Sequence, residues 1–276
     1  MLAPARIADL YRDACLAELD ALKVGNVHAY AAGHRMEVAD FARSAEVSAV
    51  GLAQAGAGVG ARVLAGVAAT REAVGQNTNL GILLLCAPLA RAAETGQPVA
   101  AVLDGLDPAD ARDVFAAIRL ASPGGLGAAD RYDVTGPSEP PPLAAAMAEA
   151  SHRDRIARAY VTGFEDIRLI GLPAMAAAEA SGLDAPWCAS AVHLAYLAAV
   201  PDSHILRKHG AAVAEAIRGQ AASLRERLEM AARPVADLLA FDGALKARHI
   251  NPGTSADFTV ATLLWRALTG AGAVLA

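Results

Sequence analysis

The sequence predicts an all-α fold, arranged as one bundle-like domain of about a dozen helices. Apolar residues make up 55% of the 276 residues, which is enough for a large core. Aromatic residues make up only 4%, so this core must consist mainly of Ala, Leu and Val on closely approaching helices. Alanine is the best helix former, and the chain has few of the β-branched runs that are typical of strands.

Helical periodicity, N-cap residues and prolines in first turns place the individual helices. Asp107-Pro108 is a strong start signal, with Asp as N-cap and proline at the first helical position. The segment from Ser151 to Asp154 resembles a capping box that opens another helix. Helices are predicted over residues 4–22, 37–58, 60–75, 80–94, 108–122, 153–162, 164–181, 185–199, 209–232, 234–248 and 255–270.

Residues 123–142 form the one long irregular segment, rich in Gly and Pro. Both sides of this loop are equally helical and similar in composition, so we expect a single domain over residues 1–276. Loops of this length in a compact domain are often functional.

Composition and charge exclude several classes of protein. The net charge of −5 argues against a nucleic-acid surface. The longest apolar runs, residues 80–90 and 187–200, are shorter than the ~20 residues of a membrane span. No export signal is visible, and Cys15, Cys86 and Cys188 lie far apart without metal spacing, which favours reduced thiols in a cytoplasmic protein. Close helix faces of small residues are compatible with a homodimer.

Four polar segments interrupt the apolar helices, each beside a glycine and near a predicted helix end. They are residues 75–81 (Gly-Gln-Asn-Thr-Asn-Leu-Gly), 122–125 (Ser-Pro-Gly-Gly), 201–210 (Pro-Asp-Ser-His through Arg-Lys-His-Gly) and 251–257 (Asn-Pro-Gly-Thr-Ser-Ala-Asp). Helix N-termini carry partial positive charge and unpaired N–H donors, so they suit phosphate. The segments together suggest a helical site for a phosphorylated ligand. No Walker motif, strand-linked Gly-x-Gly-x-x-Gly or zinc spacing is present.

Each segment also has a purely structural interpretation. Residues 77–79 could simply cap the following helix, although one cap residue would suffice. Residues 202–210 could be an exposed connection, or could set cations against phosphate while Asp202 holds a metal or a proton. Thr254-x-x-Asp257 is itself a capping-box pattern. His193, within an apolar helix, is interpreted as a core histidine, and Glu165-Asp166 as a charge pair at a helix start.

Taken in order, these segments resemble the triphosphoribosyl-dephospho-CoA synthase family, in a divergent branch also found in archaea. The resemblance runs from about residue 13 to 268. It rests on residues 23–28 (Lys-Val-Gly-Asn-Val-His, without the family's two prolines), His34-Arg35-Met36 with Asp40-Phe41 and Ser44, residues 77–81, Phe164-Glu165 ahead of Gly171-Leu172-Pro173, residues 202–210 with altered spacing, and residues 251–257.

The resemblance implies an all-helical enzyme that transfers the triphosphoribosyl group of ATP to the 2′-hydroxyl of dephospho-CoA and releases adenine. It implies ATP as substrate and Mg²⁺ as cofactor. Displacement at the anomeric carbon passes through an oxocarbenium-like state and needs a base for the attacking hydroxyl. The expected catalytic residues are Asp202 and Asp257, which are also the expected metal ligands, followed by Asp40 and Glu165. The expected substrate- and phosphate-binding residues are Lys23, Asn26, His28, His34, Asn77, Thr78, Asn79, Gly81, His204, Arg207, Lys208 and Ser255.

Two alternatives stay open at this point. The missing prolines and the altered 202–210 segment leave room for a related transferase that builds a one-carbon carrier of the methanopterin or methylofuran type from another phosphorylated donor or acceptor. The other alternative is a helical binding protein without turnover. The enzyme hypotheses require Asn77, Asp202 and Asp257 to share one polyanion pocket.

Overall fold

The computed structural model describes residues 1–29, 38–124, 131–136 and 139–276. Within these residues the secondary structure is helical, without a β-strand, which confirms the predicted fold class. A π-helix covers Ile167–Gly171 and a 3₁₀-helix covers Met230–Ala232. The α-helices of the described residues are α1 (Pro4–Asp20), α2 (Val38–Leu52), α3 (Val59–Val74), α4 (Leu80–Thr95), α5 (Val99–Asp104), α6 (Pro108–Ala121), α7 (Leu143–Ala150), α8 (Arg155–Thr162), α9 (Leu172–Ala180), α10 (Ala185–Ala199), α11 (Ser203–His209), α12 (Ala211–Arg227), α13 (Val235–Ala247) and α14 (Gly253–Gly270).

The predictions locate the long helices, although α2 ends at Leu52 rather than at residue 58. The short helices α5, α7 and α11 were not predicted, because six to eight residues carry too little periodicity. The eight-residue helix α8 was predicted from the start signal ahead of it. Ser151 does not cap α8. Asp154 does, since its carboxylate accepts from the amides of Ile156 and Ala157, and Ser151 instead ends α7.

The helices form two compact units, and α1, α2 and α14 contribute residues to both. Unit 1 comprises Met1–Asp13, Asp40–Phe164 and Leu264–Ala276, and unit 2 comprises Ala14–Ala39 and Glu165–Leu263. The expectation of a single domain stays a prediction.

In unit 1, α3 packs against α4 and α6 at glycines. A Cβ on Gly66 would lie 2.6 Å from Cδ2 of Leu83, and a Cβ on Gly60 would overlap the backbone of Asp110. The small residues therefore let these helices approach closely, which compensates for the scarcity of large aromatic side chains.

In unit 2, α10 packs against α9, α12 and the π-helix, and α11 packs against α12. Its apolar core includes Trp187 and Leu194 of α10, Ile217 of α12 and Leu245 of α13. Leu22 and Val24 join the same core from the end of α1 and the turn that follows it. This packing brings the 23–28 turn against the other helices of unit 2.

Candidate active site

The 23–28 turn is held tightly between α13 and the segment that precedes α14. Gly25 has a φ of +79°, the left-handed region that favours glycine. A Cβ at this position would lie 2.8 Å from Cδ of Pro252 and 2.9 Å from Cδ1 of Leu245. The Gly25 amide donates to Oδ1 of Asp242 at 2.8 Å. Glycine is therefore required here both for conformation and for space.

Lys23 points into the protein, where its ammonium pairs with the buried carboxylate of Glu18. Its Nζ also donates to Oδ1 of Asn26 at 3.3 Å, and Nδ2 of Asn26 donates to Oδ1 of Asn251 at 2.8 Å. Burial lowers the pKa of Lys23 and raises the pKa of Glu18, and their mutual attraction opposes both shifts. Lys23 is 1% exposed, so it supports the turn from inside and does not face open solvent.

His28 is fully buried beside two charged side chains of α13. Its Nε2 lies 3.3 Å from Oδ1 of Asp242 and 3.3 Å from Nζ of Lys246, which itself lies 3.1 Å from Oδ2 of Asp242. Burial alone would raise the pKa of Asp242, but hydrogen bonds from His28, Gly25 and Lys246 outweigh burial and hold this pKa below its usual range. Sequence reasoning missed Asp242 and Lys246. Their spacing of four is visible, but such pairs are ordinarily exposed helix pairs.

Asp202 joins the N-termini of two helices. Its Oδ1 accepts from the amides of His204 at 2.9 Å and Ile205 at 3.1 Å, which caps α11. Its Oδ2 accepts from the amide of Ser255 at 2.7 Å and from Oγ of Ser255 at 2.8 Å, at the start of α14. Burial raises the pKa of Asp202, and these donors oppose the shift. At 2% exposure and with four donors on two oxygens, Asp202 is a structural connector in this structure.

Further contacts connect α11 with the first turn of α14. The His204 amide lies 3.2 Å from Oγ1 of Thr254, and a Cβ on Gly253 would lie 2.9 Å from Nδ1 of His204. Asp257 follows on α14, is half-buried, and interacts electrostatically with Lys23. Three of the predicted segments, residues 23–28, 202–210 and 251–257, thus meet around the start of α14.

Three other predicted residues of unit 2 lie on nearby elements. Arg207 is half-buried and Lys208 is exposed, both in the last turn of α11. Glu165 is half-buried and precedes the π-helix Ile167–Gly171 by two positions.

The π-helix ends at Gly171, which packs closely against two buried hydroxyls. A Cβ on Gly171 would overlap the hydroxyls of Tyr196 and Thr262, which are 2.7 Å from each other. The Tyr196 hydroxyl is also 3.5 Å from the carbonyl of Asp166. Burial raises the pKa of Tyr196, so it stays a neutral phenol. Single π-turns are frequent at functional sites. Apart from Gly171-Leu172-Pro173, nothing in the residue pattern predicts this one.

In unit 1, residues 76–79 pack against one polar face of α2. Oγ of Ser44 lies 2.6 Å from Oγ1 of Thr78, and Nε2 of Gln76 donates to Oδ2 of Asp40 at 3.0 Å. These contacts bring Asp40 and Thr78, both predicted site residues, into one cluster.

Asn79 extends this cluster inward and is buried. Its Nδ2 donates to Oγ of Ser48 at 3.2 Å and to Oγ1 of Thr70 at 3.0 Å. Oδ1 of Asn77 accepts from the Leu80 amide at 3.2 Å, whereas Asn79 occupies the N-cap position of α4 and makes no side-chain cap bond. Gly81 lies in the first turn of α4.

The predicted site residues therefore form one group in each unit. Unit 2 brings together the 23–28 turn, Asp202, His204, Ser255 and Asp257, and unit 1 brings together Asp40 and residues 76–79. That Asn77 shares a pocket with Asp202 and Asp257 stays a prediction. His34 lies outside the described residues.

The described residues contain no group of three or more His, Cys, Asp or Glu side chains that could hold a metal ion. Mg²⁺ commonly takes one or two carboxylates together with substrate phosphates, so a single suitable carboxylate is compatible with it. Asp257 fits this requirement as a half-buried carboxylate at the meeting point of the segments. Asp202 does not, because both of its oxygens already accept hydrogen bonds.

Comparison with known proteins agrees with this arrangement of helices. The chain is similar in structure to a provisionally assigned triphosphoribosyl-dephospho-CoA synthase from Archaeoglobus fulgidus, with a TM-score of 0.63 and 21% identity over 81% of this chain and 96% of that chain. This similarity establishes the fold. No curated protein sequence matches the chain. Among the described residues, no helix combines the length and apolarity needed to cross a membrane.

The sequence also matches the ATP:dephospho-CoA triphosphoribosyl transferase family, CitG, over residues 4–273. The match confirms the first of the three hypotheses about function and does not favour the one-carbon carrier transferase or the non-catalytic binding protein. It spans both units, from the first turn of α1 to beyond the end of α14. The chain belongs to the ATP:dephospho-CoA triphosphoribosyl transferase family.

Proposed function

We propose that the polar cluster around the start of α14 is the acceptor side of a triphosphoribosyl transferase site. In the reaction, the bond between C1′ of ATP and adenine breaks, and a bond forms between C1′ and the 2′-oxygen of dephospho-CoA. The hydroxyl proton leaves with adenine in the overall balance. The observation that carries the proposal is the meeting of residues 23–28, 202–210 and 251–257, which are distant in sequence, around one helix start.

Asp257 is the carboxylate that we assign to the chemistry. It lies in the first turns of α14, where it interacts electrostatically with the ammonium of Lys23. An ionised carboxylate near the acceptor can take the hydroxyl proton, a contribution of ~10²- to 10⁴-fold in rate. Asp257 is also the residue of this cluster that fits a Mg²⁺ ligand. Mg²⁺ bound with ATP would supply positive charge to the triphosphate.

The phosphate contacts are assigned to cations that solvent can reach. Lys208 is exposed and Arg207 is half-buried at the end of α11, and Asp202 fixes α11 to α14. Lys23 is not assigned a phosphate contact, because its ammonium is already paired with Glu18. It contributes to the site through its positive charge and by supporting the 23–28 turn. From the sequence resemblance, Asn77, Thr78 and Asn79, with Asp40, stay candidates for binding the donor, and Glu165 stays a candidate in unit 2.

The test is to incubate the protein with ATP, Mg²⁺ and dephospho-CoA and to measure free adenine by chromatography. Adenine release that requires dephospho-CoA, with a product heavier by the triphosphoribosyl group, supports the proposal. Stabilisation by ATP without adenine release points to another acceptor or donor. Neither signal points to a protein without turnover.

Variants then assign the role of Asp257. Asp257→Asn should lower kcat by ~10²-fold or more while the melting temperature changes little. Asp237→Asn, which removes an exposed carboxylate of α13, is the matched control and should leave kcat unchanged. A lowered kcat with unchanged Mg²⁺ dependence identifies a base, whereas a higher Mg²⁺ requirement identifies a ligand. Full turnover in Asp257→Asn removes this residue from the mechanism.

A further inference from the structure

Three consecutive residues of the 23–28 turn are each held by a different part of unit 2. The carbonyl of Val24 accepts from Nε2 of His193 on α10 at 3.3 Å. The amide of Gly25 donates to Asp242 on α13 at 2.8 Å, and the side chain of Asn26 donates to Asn251, just before α14, at 2.8 Å. A turn fixed at three successive residues has little freedom to change its conformation.

Of these three supports, His193 is buried and neutral. Burial, which removes the solvation of the charged ring, and the positive charge of Lys23 lower the pKa of His193 to about 3. Because its Nε2 faces a carbonyl, the proton is on Nε2, and Nδ1 has no hydrogen-bond partner among the described residues. This confirms the interpretation of His193 as a core histidine and gives it a specific contact with the turn.

Asp242 differs from the other two supports in its charge and in the number of groups it holds. It is 3% exposed, yet it takes both the Gly25 amide and Nε2 of His28, the residue that ends the turn. Lys246, one turn later on α13, balances its charge and lies 3.3 Å from the same nitrogen of His28. A buried carboxylate is costly unless it is paired and hydrogen-bonded, so these contacts maintain one another.

We infer that Asp242 is a positioning residue for the transfer reaction: it fixes the backbone of Gly25 and the ring of His28, and so keeps Asn26 and Lys23 in register with Asn251 and Asp257 at the start of α14. This inference rests on the proposed function. Loss of such support displaces groups at the site by a fraction of an ångström to an ångström, which commonly costs ~10- to 100-fold in activity.

The experiment uses the full chain with three variants. Asp242→Asn keeps an acceptor for Gly25 but puts an amide NH₂ group where the carboxylate faced Lys246. Asp242→Glu keeps the charge and should recover part of the lost activity. Asp237→Asn is the matched control on the same helix. Each protein is assayed for adenine release, for melting temperature, and for hydrogen exchange of a peptide that contains the 23–28 turn.

The wild-type protein is assayed first, because its failure to release adenine overturns the proposed function independently of any variant, and the inference with it. With an active wild type, we expect Asp242→Asn to lose 10- to 100-fold in kcat/KM at temperatures where it is folded, and its turn peptide to exchange faster. Unchanged kcat/KM, or unchanged exchange in the turn, overturns the inference. If the Asn variant does not fold, the same two readouts on Asp242→Glu decide, with a fall of at least several-fold in kcat/KM expected.

Discussion

Replacing Asp202 by asparagine distinguishes two possible roles of this residue: a structural connection between α11 and α14, or a ligand of a metal ion. Asp202 accepts two hydrogen bonds from α11 and two from Ser255 on α14. An asparagine has one carbonyl oxygen, so it can serve one helix but must turn its NH₂ group toward the amide donors of the other. Whichever way the amide turns, at least one buried N–H group faces another donor.

The magnitude follows from these contacts. Hydrogen bonds to a charged acceptor contribute ~1.5–3 kcal/mol, against ~1 kcal/mol for neutral ones, and a buried donor left without an acceptor costs ~1–3 kcal/mol. Burial raises the pKa of Asp202, which means that desolvation offsets part of the benefit of its charge. We therefore expect a loss of about 2–3 kcal/mol in the free energy of unfolding. For a chain of this size the melting temperature should fall by ~4–12 °C.

The assay is thermal unfolding with and without Mg²⁺. The matched control is Asp184→Asn, since Asp184 caps α10 through one bond of 3.3 Å to the Trp187 amide and its side chain is 51% exposed. Asparagine caps helices about as well as aspartate, so this variant should lose less than about 1 kcal/mol. If Asp202 connects the two helices, the loss of about 2–3 kcal/mol in the free energy of unfolding should occur in Asp202→Asn and not in Asp184→Asn. If that variant instead melts like the wild type without Mg²⁺ and loses a stabilisation that Mg²⁺ gives the wild type, Asp202 is a metal ligand and the reasoning is refuted.

Two further outcomes test the interior of unit 2. The pKa of His193 is about 3 when folded against 6.5 when unfolded, so its stabilisation is complete above pH 6.5 and is lost as the pH falls toward 3. The loss should reach about 2 kcal/mol at pH 5, and His193→Gln, which can still donate to Val24, should remove that part of the pH dependence of denaturant unfolding. A variant with the wild-type pH dependence would contradict this. Gly171→Ala should cost at least ~1–3 kcal/mol, because its methyl group overlaps the hydroxyls of Tyr196 and Thr262. Adding Tyr196→Phe should return part of that stability, and strictly additive losses would argue against the overlap.

Much of the fold was accessible from the sequence because its signals are local. The Asp107-Pro108 start of α6 is a capping box in the structure, with Asp107 accepting from the Asp110 amide. The buried helix after residues 77–79 is α4 (Leu80–Thr95), and its first amide donates to the side chain of Asn77. Alanine content and caps act over a few residues, so they can be judged before any tertiary contact is known. The seven-residue helix α11 escaped prediction because it is too short to show periodicity, and the second contact of its cap, Asp202, is with Ser255 of α14, which is 53 positions away.

The polar residues that mark the family were also visible, but their individual tasks were not. The sequence indicated three charged residues that could bind phosphate, transfer a proton or bind a metal ion: Lys23, Asp202 and Asp257. The structure buries Lys23 against Glu18, saturates Asp202 with donors, and leaves Asp257 half-buried. Asp242, which supports the turn, was not identified from the sequence, because an Asp and a Lys four positions apart on a helix ordinarily form an exposed pair.

The sequence by itself determined a helical chain with polar segments at helix ends, because composition and capping are properties of neighbouring residues. Only the tertiary structure decided which charged groups can reach a ligand and which are engaged in hydrogen bonds and ion pairs inside the protein. That distinction depends on desolvation and on hydrogen-bond partners, and both are supplied by residues far away in the sequence.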